Sequence, residues 1–559
     1  MSEKFTVTVK TEKRDKTIEI EKGTTFEQLS VNFRKEHKGI ITIAKSSNLL
    51  YELASEIPES MDIEFLDTTN YEGSVVYARG ASFLLVKSIK DIFGMDTKIV
   101  IENSLNGNLY CEVHKDGVNV DDELLKNIVD KMYEYSKENI TIEKPEISTE
   151  KAVKLSMQQG MEDKARLLKY MKISRVSAYK IGEFYDYYYG YMVPSTGYIN
   201  NFDLKKYESG FLLLLPSRKN PEKFNEIKGF EKISAVFMEQ LRWCELMGVK
   251  NVADLNDAIA HGHFAELVRI NEALHEKKIA HIADEIAARK DKVKLILIAG
   301  PSSSGKTSFA QRLCIQLRVN GLKPHTIGMD NYFLDRDKTP LDSEGHPDYE
   351  NINALDLDKF NQDLSDLIDG KEALIPSFDF ILGKRRVGGT PVKLDKGDVI
   401  VCEGIHGLND ELTKMIPNEK KYRIFISAMT QLNVDCHNRI STSDSRLIRR
   451  IARDFRSRGR DAAATIETWR DVRRGEERNI FPFQENANVI FNSATIYELS
   501  VLKVYVEPLL MQIDATMPQY IIAHRLIKFL DYFLCASPEA IPNNSLIKEF
   551  VGGSIFDVN

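Results

Sequence analysis

Read for the order of apolar and polar positions, the chain changes character several times. FTVTVK and KTIEIEKG alternate with a period of two from Phe5, TTFEQLSVNFRKEH carries apolar residues at helical spacing, and IITIAK and MDIEFLD alternate again up to about Leu66. Short strands around one helix predict a small β-grasp unit over residues 1–66. Residues 67–225 mix helical and strand patterns and end in the aromatic run FYDYYYGYMVPSTGYI. ISAVFMEQLRWCELMG and FAELVRINEALHEKKIAHIADEIAARK predict a helical connector over 226–291. From 292 to 510 strands and helices alternate, which predicts an α/β unit around a parallel sheet. The last stretch, 511–559 with QYIIAHRLIKFLDYFL, reads as a helical cap. No internal repeat and no low-complexity segment interrupts this series.

Composition narrows the partners. Lys+Arg 76 against Asp+Glu 83 leaves a net charge of -7, so no global basic field draws the chain to nucleic acid, and any basic patch must be local. The opening MSEKFTVTVKTEKRDK has no apolar signal region, and FLLLLP is far shorter than the roughly 20 residues that span a bilayer. The expectation is a cytoplasmic protein without a membrane partner. Cys111, Cys244, Cys314, Cys402, Cys436 and Cys535 lie far apart with no C-x-x-C pair, which reads as small buried thiols.

Candidate chemistry begins at LILIAGPSSSGKTSFAQRL. Gly300, Gly305, Lys306 and Thr307 fit G-x-x-x-x-G-K-[ST] between a strand and a helix. In that context Gly300, Pro301, Ser302, Ser303, Ser304, Gly305, Lys306, Thr307 and Ser308 form a nucleotide loop. Backbone N–H groups and the helix N-terminus cradle phosphate oxygens, Lys306 reaches the β/γ phosphates, and the Thr307 hydroxyl holds magnesium. ATP, or GTP, with Mg2+ is the expected donor.

Such a site needs a second acidic group near the metal. In DVIVCEGIHGL an apolar strand runs into Glu403, the candidate partner of Thr307. In HTIGMDNYF a strand ends at Asp330, placed to accept a proton from an attacking hydroxyl. RLIRRIARDFRSRGR then puts Arg446, Arg449, Arg450 and Arg453 on one helical face, with Arg456, Arg458 and Arg460 continuing to the exit. A dense arginine stripe suits RNA, and it equally suits a lid whose guanidinium forks close over transferring phosphates. The order of cradle, aspartate, glutamate and arginines favours phosphoryl transfer to a small hydroxyl acceptor.

The segments GPSSSGKTS, MDNYF, HPDYENINALD, SFDF, VIVCEGIHGL and DSRLIRRIARDFRSRGRD together resemble the uridine kinase and phosphoribulokinase family, uridine kinases most closely, over about 292–510. The resemblance implies Asp330 as base for a nucleoside 5'-hydroxyl, with Tyr332 lining the acceptor site. It implies Asp348 and Arg450 on the ribose, Phe378 and Phe380 flanking the base, and Arg453, Arg458 and Arg460 closing on phosphates or nucleoside. Where uridine kinases carry a base-reading histidine, FDFILGKRR places Gly383, which leaves the base open, with Arg385 available.

The first 225 residues resemble another family. FTVTVKTEKRDKTIEIEKGTTFEQLS is similar to the TGS-type β-grasp domain of threonyl-tRNA synthetase; YARGASFLLVKSIKDIFG with YYYGYMVPSTGYI is similar to its editing domain over 67–225. Where that family's editing site uses H-x-x-x-H and C-x-x-x-H, this chain has Arg79, Phe83, Tyr188 and Met192. The resemblance implies a retained scaffold without hydrolytic or zinc chemistry, kept for recognition or regulation, with a tRNA or nucleotide effector left open. Tyr185, Tyr187, Tyr188, Tyr189 and Tyr191 either rim a pocket that stacks a base or pack a core.

Two alternatives to a nucleoside kinase stand beside it: a kinase of the same fold for a sugar phosphate, and an RNA-binding regulator that uses the loop as a nucleotide sensor. A homo-oligomer is left open. His261, His263, His275 and His281 are spaced by 2, 12 and 6 residues, which stacks no neighbouring ligands on one helical face. Trp243 and Trp469 read as core anchors.

Overall fold

The computed structural model describes residues 3–11, 14–227, 230–341, 345, 347–379, 382–386, 388–429 and 432–558. The first unit is a five-stranded mixed sheet in the order Lys16–Glu21, Lys4–Lys10, Asp62–Asp67, Ile41–Ser46, Leu49–Glu52. Strand Lys4–Lys10 runs parallel to Asp62–Asp67 and antiparallel to Lys16–Glu21. Thr25 starts the covering helix Phe26–Ser30 with a capping box to Gln28, satisfying two N–H groups that the helix leaves unpaired. Strand Leu49–Glu52 goes beyond the four-strand expectation; it is short and pairs with only one neighbour.

The next unit lays helix Tyr71–Phe93 on an antiparallel sheet in the order Asp203–Tyr207, Gly210–Leu214, Asn108–His114, Lys98–Leu105. A Cβ on Gly73 would lie 2.0 Å from the Asp67 carbonyl oxygen, so the helix enters against the first sheet only with glycine there.

The C-terminal part is an α/β unit, as the alternation predicts. Its five strands are all parallel, in the order Lys323–Gly328, Asp398–Glu403, Leu295–Ala299, Lys421–Ser427, Val489–Asn492. The central strand is buried at every position, as expected of a sheet covered on both faces.

Helices Glu231–Met247, Val252–Ala260 and Phe264–Ala287 fill the predicted connector. They do more than connect. Ile279, Ile282 and Ile286 share one core with Phe309, Leu313 and Leu317 of the helix that follows the nucleotide loop, and Arg312 of that helix bonds to Glu276 at 2.6 Å. The helical cap is likewise woven in, with Leu546 in that same core and Phe529 and Phe550 in the core around the arginine helix.

The N-terminal half grips the loop that leads into the arginine helix. Ile101 N–H donates to Cys436 O at 2.8 Å, and the Cys436 N–H donates to Asp163 Oδ2 at 2.6 Å. Buried Asp186 pairs with Lys164 and sits 2.7 Å from His437 Nδ1. Burial alone would raise the Asp186 carboxyl, but Lys164 and His437 prevail and hold it well below the usual range.

Arg79, Phe83, Tyr188 and Met192 do converge. Arg79 donates to the Tyr191 carbonyl, and the Phe83 and Tyr188 rings meet edge to face at 5.5 Å. Phe83, Tyr188 and Met192 are buried in one core. Of the two readings of the tyrosine run, packing prevails for the central members. Tyr187 and Tyr189 lie against Tyr532 and Phe529, and Tyr188 is buried. Five cysteines are buried and Cys535 is exposed. Among the described residues no helix is long and apolar enough to cross a membrane, and no three His, Cys, Asp or Glu side chains are gathered for a metal ion.

Candidate active site

The site forms where three adjacent strands end. Leu295–Ala299 runs into the loop, Asp398–Glu403 ends on Glu403, and Lys323–Gly328 is followed two residues later by Asp330. Glu403 is paired in register with both Ile298 and Gly328, so its carboxylate rises between loop and aspartate. In open α/β sheets, ligands bind at these carboxyl ends.

Two loop positions require glycine. A Cβ on Gly300 would lie 2.0 Å from Ile426 O, and Gly305 starts the helix at φ +82°. Ser303 is held at φ +58° despite its side chain, a conformation that costs of order 1 kcal/mol or more and gathers at functional sites. The Ser303 and Ser304 hydroxyls are buried without a hydrogen-bond partner, so the loop retains polar groups for a phosphate. Lys306 Nζ lies across the loop, donating to Gly300 O at 3.0 Å and Pro301 O at 3.2 Å. Burial lowers its pKa, against the opposing charges of Glu403 and Asp330.

Thr307 Oγ1 donates to Glu403 Oε2 at 3.2 Å. Burial pushes the Glu403 carboxyl up to about 7, with Lys306 and the Thr307 hydroxyl pulling the other way. Asp330 has its side chain open to water yet is enclosed by surrounding protein. That enclosure raises its pKa, while Lys306 and Arg458 oppose the rise. These residues fit a magnesium–nucleotide complex: Thr307 and Glu403 offer hard oxygen ligands that would hold the metal, and the loop amides and Lys306 offer donors that would hold the phosphates.

The arginine helix, Thr442–Arg458, divides into two sets. Arg446 and Arg449 are fully buried: Arg446 forks onto Glu476 at 3.0 and 2.5 Å, and Arg449 onto Glu498 at 3.0 and 2.6 Å. They brace the fold. Glu476 also accepts the Ser302 N–H at 2.9 Å, so the pair fixes the start of the loop. Arg450, Arg453 and Arg458 gather around buried Asp454, and Arg450 also donates to Ser302 Oγ at 3.0 Å. Arg460 donates to Ala464 O at 3.1 Å. Trp469 is buried, and it also carries the guanidiniums of Arg446 and Arg450 over its ring at 5.3 and 5.9 Å.

The acceptor side needs correction. Tyr332, expected to line it, is fully buried; its hydroxyl donates to Asp363 at 2.9 Å and its ring meets Phe360 at 4.8 Å. A tyrosine two residues past a strand-end aspartate points back into the sheet's core here. Arg385, expected to be available, bonds instead to Asp356 at 3.0 Å and to the Tyr332 and Phe333 carbonyls at 3.4 Å, bracing the hairpin in which Phe378–Asp379 pairs with Lys384–Arg385. Phe378, expected to flank the base, is half-buried with its ring 5.9 Å from that of Phe333. Phe380 lies outside the described residues. Asp348 is half-buried and accepts the Glu350 N–H at 3.2 Å; Arg450 turns to the loop. Gly383, at φ +65°, is crossed by Arg336, whose Cδ lies 2.3 Å from where a Cβ would be.

Sequence reading missed two acidic groups. Glu476 falls in an arginine-rich helix, where Arg473 three residues earlier is the only local hint of a partner. Glu350 packs over Gly475, and burial with Glu476 nearby raises its carboxyl to about 7, with Lys306, Arg450 and Asp330 in electrostatic reach.

The Phosphoribulokinase / Uridine kinase family profile matches residues 295–500. A uridine kinase of Ureaplasma parvum is 30% identical over 202 residues, covering 35% of this chain and 86% of that protein. A threonine--tRNA ligase of Clostridium kluyveri is 32% identical over 190 residues of another region, covering 33% of this chain and only 29% of the ligase. Among solved structures, a D-glycerate 3-kinase from Cryptococcus neoformans has a TM-score of 0.22 at 14% identity, covering 46% of this chain and 87% of that one. The chain belongs to the phosphoribulokinase / uridine kinase family of ATP-binding kinases.

Proposed function

We propose that the protein is an ATP-dependent nucleoside kinase that phosphorylates a nucleoside 5'-hydroxyl. The observation that carries this reading is the convergence of Lys306, Glu403 and Asp330 on adjacent strand ends, with Arg458 in electrostatic reach of Asp330. When bound, ATP and magnesium supply the transferable phosphoryl group and much of its charge compensation. Asp330 takes the acceptor's proton as the hydroxyl oxygen bonds to the γ-phosphorus and the bond to the ADP leaving oxygen breaks. Lys306, Arg453 and Arg458 stabilise the negative charge around the transferring group. Phe378 and Phe333, half-buried and tilted 58° to each other, offer apolar ring surface to a base.

A sugar-phosphate acceptor is the second reading, favoured by exposed Lys384 on the same hairpin. The RNA-sensor alternative loses support, because Arg446 and Arg449 are buried in ion pairs and offer no charge to a polynucleotide. Residues 1–225 serve in this account as a synthetase-derived module without editing chemistry, since Arg79, Phe83, Tyr188 and Met192 provide neither an imidazole nor a thiolate. The test is a chromatographic screen of nucleosides and sugar phosphates with ATP and magnesium, repeated with tRNA or free nucleotides added. A nucleoside 5'-monophosphate with stoichiometric ADP is expected; a phosphorylated sugar phosphate with every nucleoside inert would favour the second reading.

A further inference from the structure

The nucleotide loop is touched by a segment far away in the chain. Residues 545–551 lie against the start of helix Lys306–Val319, with Ser545 Oγ bonded to Glu272 Oε1 at 2.6 Å and Leu546 buried beside Gly305. Beyond them comes the buried side chain of Glu549. Its Oε2 accepts the Ser308 hydroxyl at 2.7 Å and stands 3.4 Å from the Ser308 N–H. The Glu549 carbonyl is in turn held by Arg456 Nη2 at 2.8 Å.

Ser308 is the third residue of the helix, so its N–H is among the first-turn donors that have no intrahelical partner. Those donors, with the positive end of the helix dipole, are what a P-loop presents to nucleotide phosphates. A carboxylate at the same donors copies the charge and acceptor geometry of a phosphate oxygen. Lys306, Glu403 and Arg458 all lie in electrostatic reach of Glu549, which places its charge in the same field as the transferring groups.

We propose that Glu549 is a residue of the nucleotide site, where its carboxylate holds the place of a phosphate oxygen at Ser308 and is displaced when nucleotide binds. Thirteen residues before Ser545, outside this segment, the Tyr532 hydroxyl bonds to that of Tyr187 at 3.0 Å.

The test uses the full chain and Mg-ADP as probe, with affinity measured by calorimetry for the parent, Glu549→Gln and Glu549→Ala. Removing a negative charge that competes for the same donors should tighten ADP binding by about tenfold or more in both variants. A second measurement uses the unaltered protein: ADP should increase amide hydrogen exchange across residues 545–551 while it protects the loop. Equal or weaker ADP binding by Glu549→Gln, or a segment 545–551 that stays as protected with ADP as without, overturns the proposal. Nucleoside phosphorylation is not part of either readout, so an inert acceptor screen would leave this result standing, whereas parent and variants that all fail to bind ADP would overturn both.

Discussion

The hydroxyl of Thr307 donates to Oε2 of Glu403 across 3.2 Å, tying the first turn of the loop helix to the end of the neighbouring strand. Two hard oxygen ligands are thereby held together. Thr307→Ala and Glu403→Gln should each raise the magnesium concentration needed for half-maximal turnover by roughly tenfold or more. A magnesium titration of ATP turnover reads this directly; unchanged titrations in both variants would remove them from the metal site.

Lys306 offers an ammonium that donates to the Gly300 and Pro301 carbonyls. Lys306→Ala should slow turnover by roughly a hundredfold or more, the scale for losing a preorganised charge at the transferring group. Turnover within a factor of about three of the parent would contradict the loop's role.

Asp330→Asn keeps the shape of the side chain but cannot take a proton. Turnover should fall by about two to four decades while ATP still binds. Loss of ATP binding with the rate preserved would reassign Asp330 to a structural or metal role.

The two arginine sets should separate by experiment. Arg446→Met leaves Glu476 buried without its main cation, and chemical denaturation should show a loss of about 3 to 5 kcal/mol. Arg458 has a side chain 54% exposed, so Arg458→Ala should leave stability near the parent's while lowering turnover. Equal stability losses in the two variants would mean the division is wrong.

His275 gives stability a pH dependence. It is fully buried between Trp243 and Phe491, and burial, with Arg312 and Arg449 nearby, pushes its pKa down to about 3. Below about pH 6.5 the unfolded chain takes up a proton there that the folded chain refuses. Stability is thus complete above pH 6.5 and falls by up to about 1.4 kcal/mol per unit as pH drops towards the folded value. His275→Phe should flatten that part of the denaturation profile, and an unchanged slope would place the proton uptake elsewhere.

Much of this was legible in the sequence because it is local. The loop glycines, Lys306 and Thr307 lie within eight residues, Glu403 closes the apolar strand DVIVC, and Asp330 follows two residues after the strand KPHTIG. The parallel sheet follows from alternation of strands and helices. What was not legible depends on distant partners. Arg446 and Arg449 read as a stripe until Glu476 and Glu498, 30 and 49 residues on, turn them inward. The resemblance puts Tyr332 at the site, and nothing nearby in the sequence reveals Asp363, which holds its hydroxyl in the core. Glu549 lies 241 residues from Ser308, beyond any motif. The aromatic run at 184–191 shows period and composition but not that Phe529 and Tyr532 cover it.

The fate of the γ-phosphate separates nucleoside phosphorylation from every other use of ATP. Incubation with ATP labelled in the γ-phosphate, magnesium and a mixture of nucleosides should place the label on a nucleoside 5'-oxygen in the parent protein. Lys306→Ala and Asp330→Asn should lower that transfer by about a hundredfold or more. Label that appears only as free phosphate or on a sugar phosphate, or transfer that is undiminished in both variants, would contradict the account.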